Sequence, residues 1–139
     1  MAGTKKEPIK FVILYAPITK KNSQRILINP GTKKPFIAQS EKYKSYEKGC
    51  EPYIKGKGES IDYPVNVKCL YYMPTRRRVD LVNLENATLD ILTHYKVLAD
   101  DNRNIVYSMD GSRVLYDKDN PRTEVTIEKV EEYERWDTK

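Results

Sequence analysis

The chain is poor in the residues that build most protein metal centres and disulfide scaffolds. Its 139 residues include two cysteines and one histidine. Cys50 and Cys69 lack zinc spacing and His94 has no second histidine, so neither zinc chemistry nor a Ser-His-Asp triad is supported. The six glycines are too few and wrongly spaced for a phosphate-binding loop. We therefore expect two buried free thiols in a reducing cytosol.

Long apolar runs are also missing. No segment approaches the length that spans a membrane, and the N-terminus lacks the apolar core of a signal peptide. The sequence thus predicts a soluble cytoplasmic protein with no membrane partner. A chain of 139 residues fits one domain over residues 1–139, with residues 1–8 and 131–139 as frayed tails. Small chains often share surface with a copy of themselves, so we expect a homodimer.

Charge is distributed unevenly along the chain. Residues 1–79 carry 17 Lys and Arg against 6 Asp and Glu, whereas residues 80–139 carry 8 against 14. The first part is therefore +11, the second −6, and the whole chain +5. A basic part joined to an acidic part favours a polyanionic partner such as nucleic acid, together with a local carboxylate cluster. A chance division of charge is the alternative.

The order of predicted elements indicates an α+β (mixed α/β) fold, one small domain with a mixed sheet and two main helices. The apolar "IKFVILY" predicts a central strand, and the turn "INPGTKKP" predicts a hairpin between "QRILI" and "PFIA". A helix over residues 40–54 follows, with Ser40 as its cap and Pro52 ending or kinking it. "YPVNVKCLYYM" predicts a strand, residues 80–96 the second helix, and residues 104–116 two strands about an Asp110-Gly111 turn. "RTEVTIEKVEE" predicts the last strand.

Helical periodicity divides residues 80–96 into faces. A core face is predicted for Leu81, Leu84, Thr88, Ile91, Leu92 and Tyr95. One edge of that face carries Asp80, Asn83, Ala87, Asp90 and His94, as expected of a half-buried polar site. Val82 and Leu89 fall opposite the core face. They predict either a subunit interface or two stray surface apolar residues.

Acidic residues stand at both ends of this helix. Asp80 suits a structural N-cap as well as a functional carboxylate, and Asp100-Asp101 suits an acidic turn as well as a site. A helix of 16 residues would separate Asp80 from Asp101 by roughly 24 Å. The two meet within one chain only if the helix is shorter or the chain folds back. Otherwise a dimer could pair the ends of two helices.

The run "RRRVDLVNLENATLDILTHYKVLADD" over residues 76–101 resembles the core motif of the RusA family of Holliday junction resolvases. The segments "ITKKNSQRI" and "NPRTEVTIEKV" are similar to other parts of that family. The resemblance extends over residues 11–130. It implies a homodimer that resolves four-way DNA junctions by paired symmetric nicks during recombination and repair, with a phage or prophage setting.

The resemblance also implies roles for individual residues. Asp80 and Asp101 match carboxylates that bind Mg²⁺, and Asp100 matches the neighbouring acidic position. Possible support comes from Asn83, Asp90 and Asn86. Contacts to the DNA backbone are implied for Arg76, Arg77, Arg78, Lys20, Lys21 and Arg25.

Two positions depart from the family pattern. Its second aspartate falls on Val82, which cannot bind a metal, and its lysine falls on Asn86, which carries no charge. The alternative to an active magnesium-dependent endodeoxyribonuclease is therefore a non-catalytic or degenerate nucleic-acid-binding protein of the same fold.

Overall fold

The structure is a computed structural model that describes residues 7–19, 24–39, 41–57 and 60–131. Within those ranges, no helix combines the length and the apolar character that crossing a membrane requires.

A five-stranded mixed sheet forms the body of the protein. Its strands are β1 (Ile9–Ile13), β4 (Val65–Met73), β5 (Val106–Ser108), β6 (Arg113–Tyr116) and β7 (Arg122–Lys129). Two helices, α1 (Glu41–Ile54) and α2 (Leu81–His94), accompany it. A separate two-stranded sheet consists of β2 (Gln24–Ile28) and β3 (Pro35–Gln39). This architecture confirms the predicted mixed α and β fold, whereas the predicted homodimer stays a prediction.

Strand β1 lies at the edge of the sheet, so its predicted central position was wrong. The order is β1-β7-β4-β5, with β6 also on β4. β1 pairs antiparallel with β7, which pairs antiparallel with β4. Val12 is 39% exposed, because only one face of β1 turns towards the core. Composition marked this segment as a strand but could not give its place in the sheet.

Strands β5 and β6 pair with β4 and not with each other. Val106 of β5 lies beside Val65 at the start of β4, and Tyr116 of β6 lies beside Met73 at its end, both in parallel. The predicted Asp110-Gly111 turn separates them, and Gly111 has a φ of +89°. The two short strands therefore follow one another along the same side of β4.

The core lies between the helices and one face of the sheet. Val67, Cys69 and Tyr71 of β4 are buried at every second position, and Val125 and Ile127 of β7 lie in register beside them. Helix α1 buries its residues at helical spacing, namely Tyr43, Tyr46, Cys50 and Ile54. Both cysteines are buried free thiols, as predicted.

A buried hydrogen bond fixes α2 on β4. The Tyr71 hydroxyl lies 2.8 Å from Thr88 Oγ1, and Thr88 in turn donates to the carbonyl of Leu84 at 3.0 Å. A satisfied buried network of this kind contributes about 1 kcal/mol per bond and orients the helix on the sheet. The position of the two ends of α2 is therefore set by the core.

Helix α2 agrees with its predicted faces except at Leu89. That side chain is only 9% exposed, so the prediction of an exposed Val82–Leu89 pair was wrong at Leu89. Val82 is 62% exposed. The buried sector of the helix is wider than the single face assumed from its periodicity. Helix α1 continues through Pro52 and ends at Ile54, whereas its predicted cap, Ser40, lies outside the described residues.

Candidate functional site

Helix α2 begins at Asp80, at the end of the segment that leaves β4. Asp80 is the N-cap, with φ −86° and ψ 123°, and its carbonyl accepts from the Leu84 N–H at 3.2 Å. Its side chain makes no capping hydrogen bond. Asp80 Oδ2 instead accepts from Asn83 Nδ2 at 3.2 Å, and the residue is exposed. A structural N-cap aspartate would use its oxygen on the first backbone N–H groups, so the carboxylate is not explained by capping.

The second acidic pair lies beyond the other end of α2. Asp100 Oδ1 accepts from the Asp101 N–H at 2.7 Å, and Asp100 Oδ2 accepts from Asn102 Nδ2 at 3.1 Å. Asp100 therefore shapes an exposed turn through both of its oxygens. Asp101 is exposed beside it. A structural role in an acidic turn explains both carboxylate oxygens of Asp100. For Asp101 it explains the backbone N–H but not the carboxylate.

Asp80 and Asp101 stand at opposite ends of the β4–α2–β5 unit. The 14 residues of α2 span about 21 Å at roughly 1.5 Å each. After the helix, Leu98 bridges to Ile61 and Ala99 donates to the Ile61 carbonyl at 2.9 Å, next to the start of β4. The observed helix is thus three residues shorter than the predicted range 80–96, yet the chain after it runs beside the segment that leads into β4 and does not fold back towards Asp80. Among the described residues, no three His, Cys, Asp or Glu side chains are grouped to hold a metal ion.

An arginine segment leads into Asp80. Arg76, Arg77 and Arg78 are all exposed. The guanidinium carbon of Arg76 lies 4.5 Å from the ring centre of Tyr116, at the end of β6. This cation–π contact holds one of the three positive charges beside the start of α2. Tyr116 was not predicted as a site residue, because only the parallel pairing of β6 with β4 places it there.

A second arginine lies near the same end of β4 and is already paired. Arg122 donates to Glu124 Oε2 at 2.8 Å and to Asp117 Oδ2 at 2.9 Å, and it lies 3.7 Å from the ring centre of Tyr72. The hydrogen bond from Arg122 lowers the pKa of Asp117. The hydrogen bonds that Arg122 donates to Glu124 and Asp117 raise the pKa of Arg122. These paired charges are less available to a polyanionic partner than the exposed arginines 76–78.

Glu85 is a carboxylate of α2 that the sequence did not single out. Partial burial raises its pKa, and a hydrogen bond with Ser112 partly opposes that rise. Ser112 Oγ also accepts from the Cys69 N–H at 2.9 Å. The contact ties α2 to the turn before β6. In the sequence, the only sign of this contact was the position of Glu85 next to the core face of the helix.

The other predicted site residues are scattered. Asn86 is exposed on α2, and Asp90 lies towards α1, where its charge contributes to the raised pKa of buried Tyr43. Asp90 also follows Asp80 by ten residues in the chain. Lys20 and Lys21 lie outside the described residues. Arg25 belongs to β2, and its side chain is outside the described part.

The arrangement defines a small mixed α/β domain with an arginine-led, acidic helix start and a second acidic turn at the far end of that helix. The sequence model of the endodeoxyribonuclease RusA matches residues 15–128, which is most of the chain. The protein therefore belongs to the RusA endodeoxyribonuclease family, as the resemblance predicted. No curated protein matches the sequence significantly.

Proposed function

We propose that the protein is a magnesium-dependent endodeoxyribonuclease that resolves Holliday junctions by paired nicks, acting as a homodimer. The proposal rests on the Asp80 carboxylate, which is exposed, unused for capping and preceded by three exposed arginines. Membership of a family of endodeoxyribonucleases supports DNA as the substrate.

The metal would be held by carboxylates from two chains. Mg²⁺ keeps several waters and takes one or two carboxylates plus phosphate oxygens, so Asp80 with Asp101 is a sufficient set of protein ligands. Since helix α2, about 21 Å long, lies between them in one chain, the ligands would come from Asp80 of one copy and Asp101 of the other. When bound, the ion supplies charge neutralisation at the phosphate and activation of a water nucleophile.

The remaining roles belong to neighbouring side chains. Asn83 donates to Asp80 Oδ2 and fixes the orientation of that carboxylate. Asp100 shapes the turn that presents Asp101. Arg76, held against Tyr116, would contact the phosphate backbone together with arginines 77 and 78. Contacts of this kind position DNA without reading its sequence. Lys20, Lys21 and Arg25 would add further backbone contacts.

A non-catalytic DNA-binding protein is the second candidate. It is favoured by Val82, whose 62% exposed apolar side chain occupies a family aspartate position, and by Asn86 in place of the family lysine. Such a protein would keep the basic surface and bind junctions without cutting them.

The test is cleavage of an end-labelled four-way junction in Mg²⁺, with binding measured separately in EDTA. We expect the wild-type protein to make symmetric nicks and Asp80→Asn to lose at least about 100-fold in rate, because transition-state stabilisation near a metal ligand is removed. Junction affinity and the free energy of unfolding should change little, since Asp80 makes no capping bond.

Asp110→Asn is the matched control, because it removes the same charge from an exposed turn with no assigned role. Full cleavage by Asp80→Asn would remove Asp80 from the site. Tight junction binding without any cleavage by the wild-type protein would establish the non-catalytic alternative.

A further inference from the structure

Strands β2 and β3 form a ribbon that is a sheet of its own. Its five-residue strands pair with each other from Gln24↔Gln39 to Ile28↔Pro35, and neither joins the five-stranded sheet. Every residue from 27 to 35 is exposed, including the apolar Leu27 at 39% and Ile28 at 67%. A two-stranded hairpin is marginally stable alone in water, so a ribbon of this kind gains from a partner that covers it.

The tip of the ribbon is nevertheless well ordered by local bonds. Asn29 Oδ1 accepts from the Gly31 N–H at 2.8 Å and from the Thr32 N–H at 3.2 Å. The Asn29 carbonyl accepts from the Lys33 N–H at 2.7 Å, and Lys33 takes a left-handed φ of 59°. The turn thus presents Lys33 and Lys34 in a set geometry before any partner binds, which lowers the entropy cost of binding.

The charge of the ribbon identifies the chemistry of the partner. Between Glu7 and Glu41 the sequence contains six basic residues and no acidic one. Lys33 and Lys34 are exposed at the tip, next to the apolar Ile28. An anionic lipid surface and a nucleic acid would each match the unopposed positive charge and the apolar side chain, and the endodeoxyribonuclease family of the chain favours the nucleic acid.

A two-stranded ribbon, whose strands lie about 4.8 Å apart, is narrow enough to enter a DNA groove. Five residues per strand give a ribbon about 17 Å long. The major groove of B-DNA is roughly 12 Å wide and admits a two-stranded β-ribbon. We propose that the β2–β3 ribbon docks into a groove of a DNA duplex arm, with Lys33 and Lys34 on the phosphates and Ile28 against the groove. This rests on the proposed function only in taking DNA as the partner.

The main test is the double variant Lys33→Ala/Lys34→Ala. Binding to a four-way junction, and to a plain duplex with the same arm sequence, is measured in EDTA over a range of salt. Each phosphate contact contributes about −0.9 to the slope of log affinity against log salt, so we expect a slope shallower by roughly 2 and, at about 0.1 M salt, roughly 60-fold weaker binding. Both DNA probes should lose affinity, because each contains duplex.

The matched control is Lys48→Ala/Lys57→Ala, which removes the same charge from exposed positions in and after α1. Its salt slope should stay within experimental error of the wild type. Equal losses in the two double variants would mean that only net charge matters and would overturn the proposal.

Ile28→Ser tests the apolar contact by a different measurement. We expect weaker DNA binding at an unchanged salt slope, with unchanged thermal unfolding because Ile28 is already 67% exposed. An unchanged affinity, or a change in oligomeric state determined by light scattering, would contradict the proposal; the latter would assign the ribbon to an interface between copies. Since binding is read in EDTA, these outcomes are independent of whether the protein cleaves.

Discussion

Mixing two variants that we expect to be inactive tests the proposal that one metal site takes Asp80 from one chain and Asp101 from another. Asp80→Asn and Asp101→Asn are each expected to abolish cleavage alone. A magnesium ion with ligands at 2.0–2.1 Å requires its carboxylate oxygens to lie within about 4 Å of each other. Helix α2, which is about 21 Å long, lies between the two residues in one chain, and side-chain rotation cannot span a length of that size.

The expected recovery follows from symmetry. After random exchange of subunits about half of the dimers are mixed, and in each mixed dimer one site receives both substitutions while the other receives neither. The mixture should therefore contain about a quarter as many intact sites as the same amount of wild-type protein. Because only one site per mixed dimer is intact, the products should be single nicks and not paired ones.

The assay is a junction cleavage time course after unfolding and refolding the two variants together, with gel separation of nicked from fully resolved product. Each variant refolded alone at the same total concentration is the control. A mixture that remains as inactive as its components would refute the shared site. Cleavage by Asp101→Asn alone would remove that residue from the site.

Two further predictions concern stability. Burial raises the pKa of the thiols of Cys50 and Cys69 to about 12, so their unfolded forms ionise first as pH rises. The thiols should therefore contribute their full stabilisation below about pH 8.5, and the free energy of unfolding should fall towards pH 12 by at most about 1.4 kcal/mol per pH unit for each thiol. In urea unfolding measured over this pH range, Cys50→Ala/Cys69→Ala should show a shallower decline of the free energy of unfolding than the wild type. Parallel declines in the two proteins would contradict this assignment. Gly111→Ala should cost about 1–2 kcal/mol because of its φ of +89°, and its Cβ would also lie 2.7 Å from Lys68 Cδ. Gly56 has a φ of +84° with open space around it, so Gly56→Ala introduces backbone strain without a steric contact. Comparing the thermal unfolding of the two variants therefore separates the cost of backbone strain from that of the Lys68 contact. No loss of stability in either variant would show that the strain is absent.

Local patterns predicted most of the elements but not how they are combined. The turn at Asn29, the alternating apolar residues of β4 and the periodicity of α2 each depend on near neighbours in the chain, and all three correspond to observed elements. The edge position of β1 depends on β7, which is more than 100 residues later in the sequence. Pairing over that separation leaves no local signal.

The same distinction applies to the candidate site. Asp80 was predicted at the start of α2, and its position as the N-cap follows from sequence. That its oxygen bonds with Asn83 and not with the backbone required the structure. Tyr116 beside Arg76 follows from the parallel pairing of β6 with β4, and the burial of Leu89 was hidden because periodicity gives the phase of a face and not its width.

Strands β5 and β6 form one margin of the sheet, on the same side of β4. β5 has three residues and β6 has four, with the Gly111 turn between them, so this margin offers no long row of unpaired backbone groups. Interrupted, short margins of this kind resist the strand-by-strand growth that leads to aggregates. Growth of the sheet across this margin is therefore disfavoured, and the five-residue β1 is left as the longer edge strand on the opposite side.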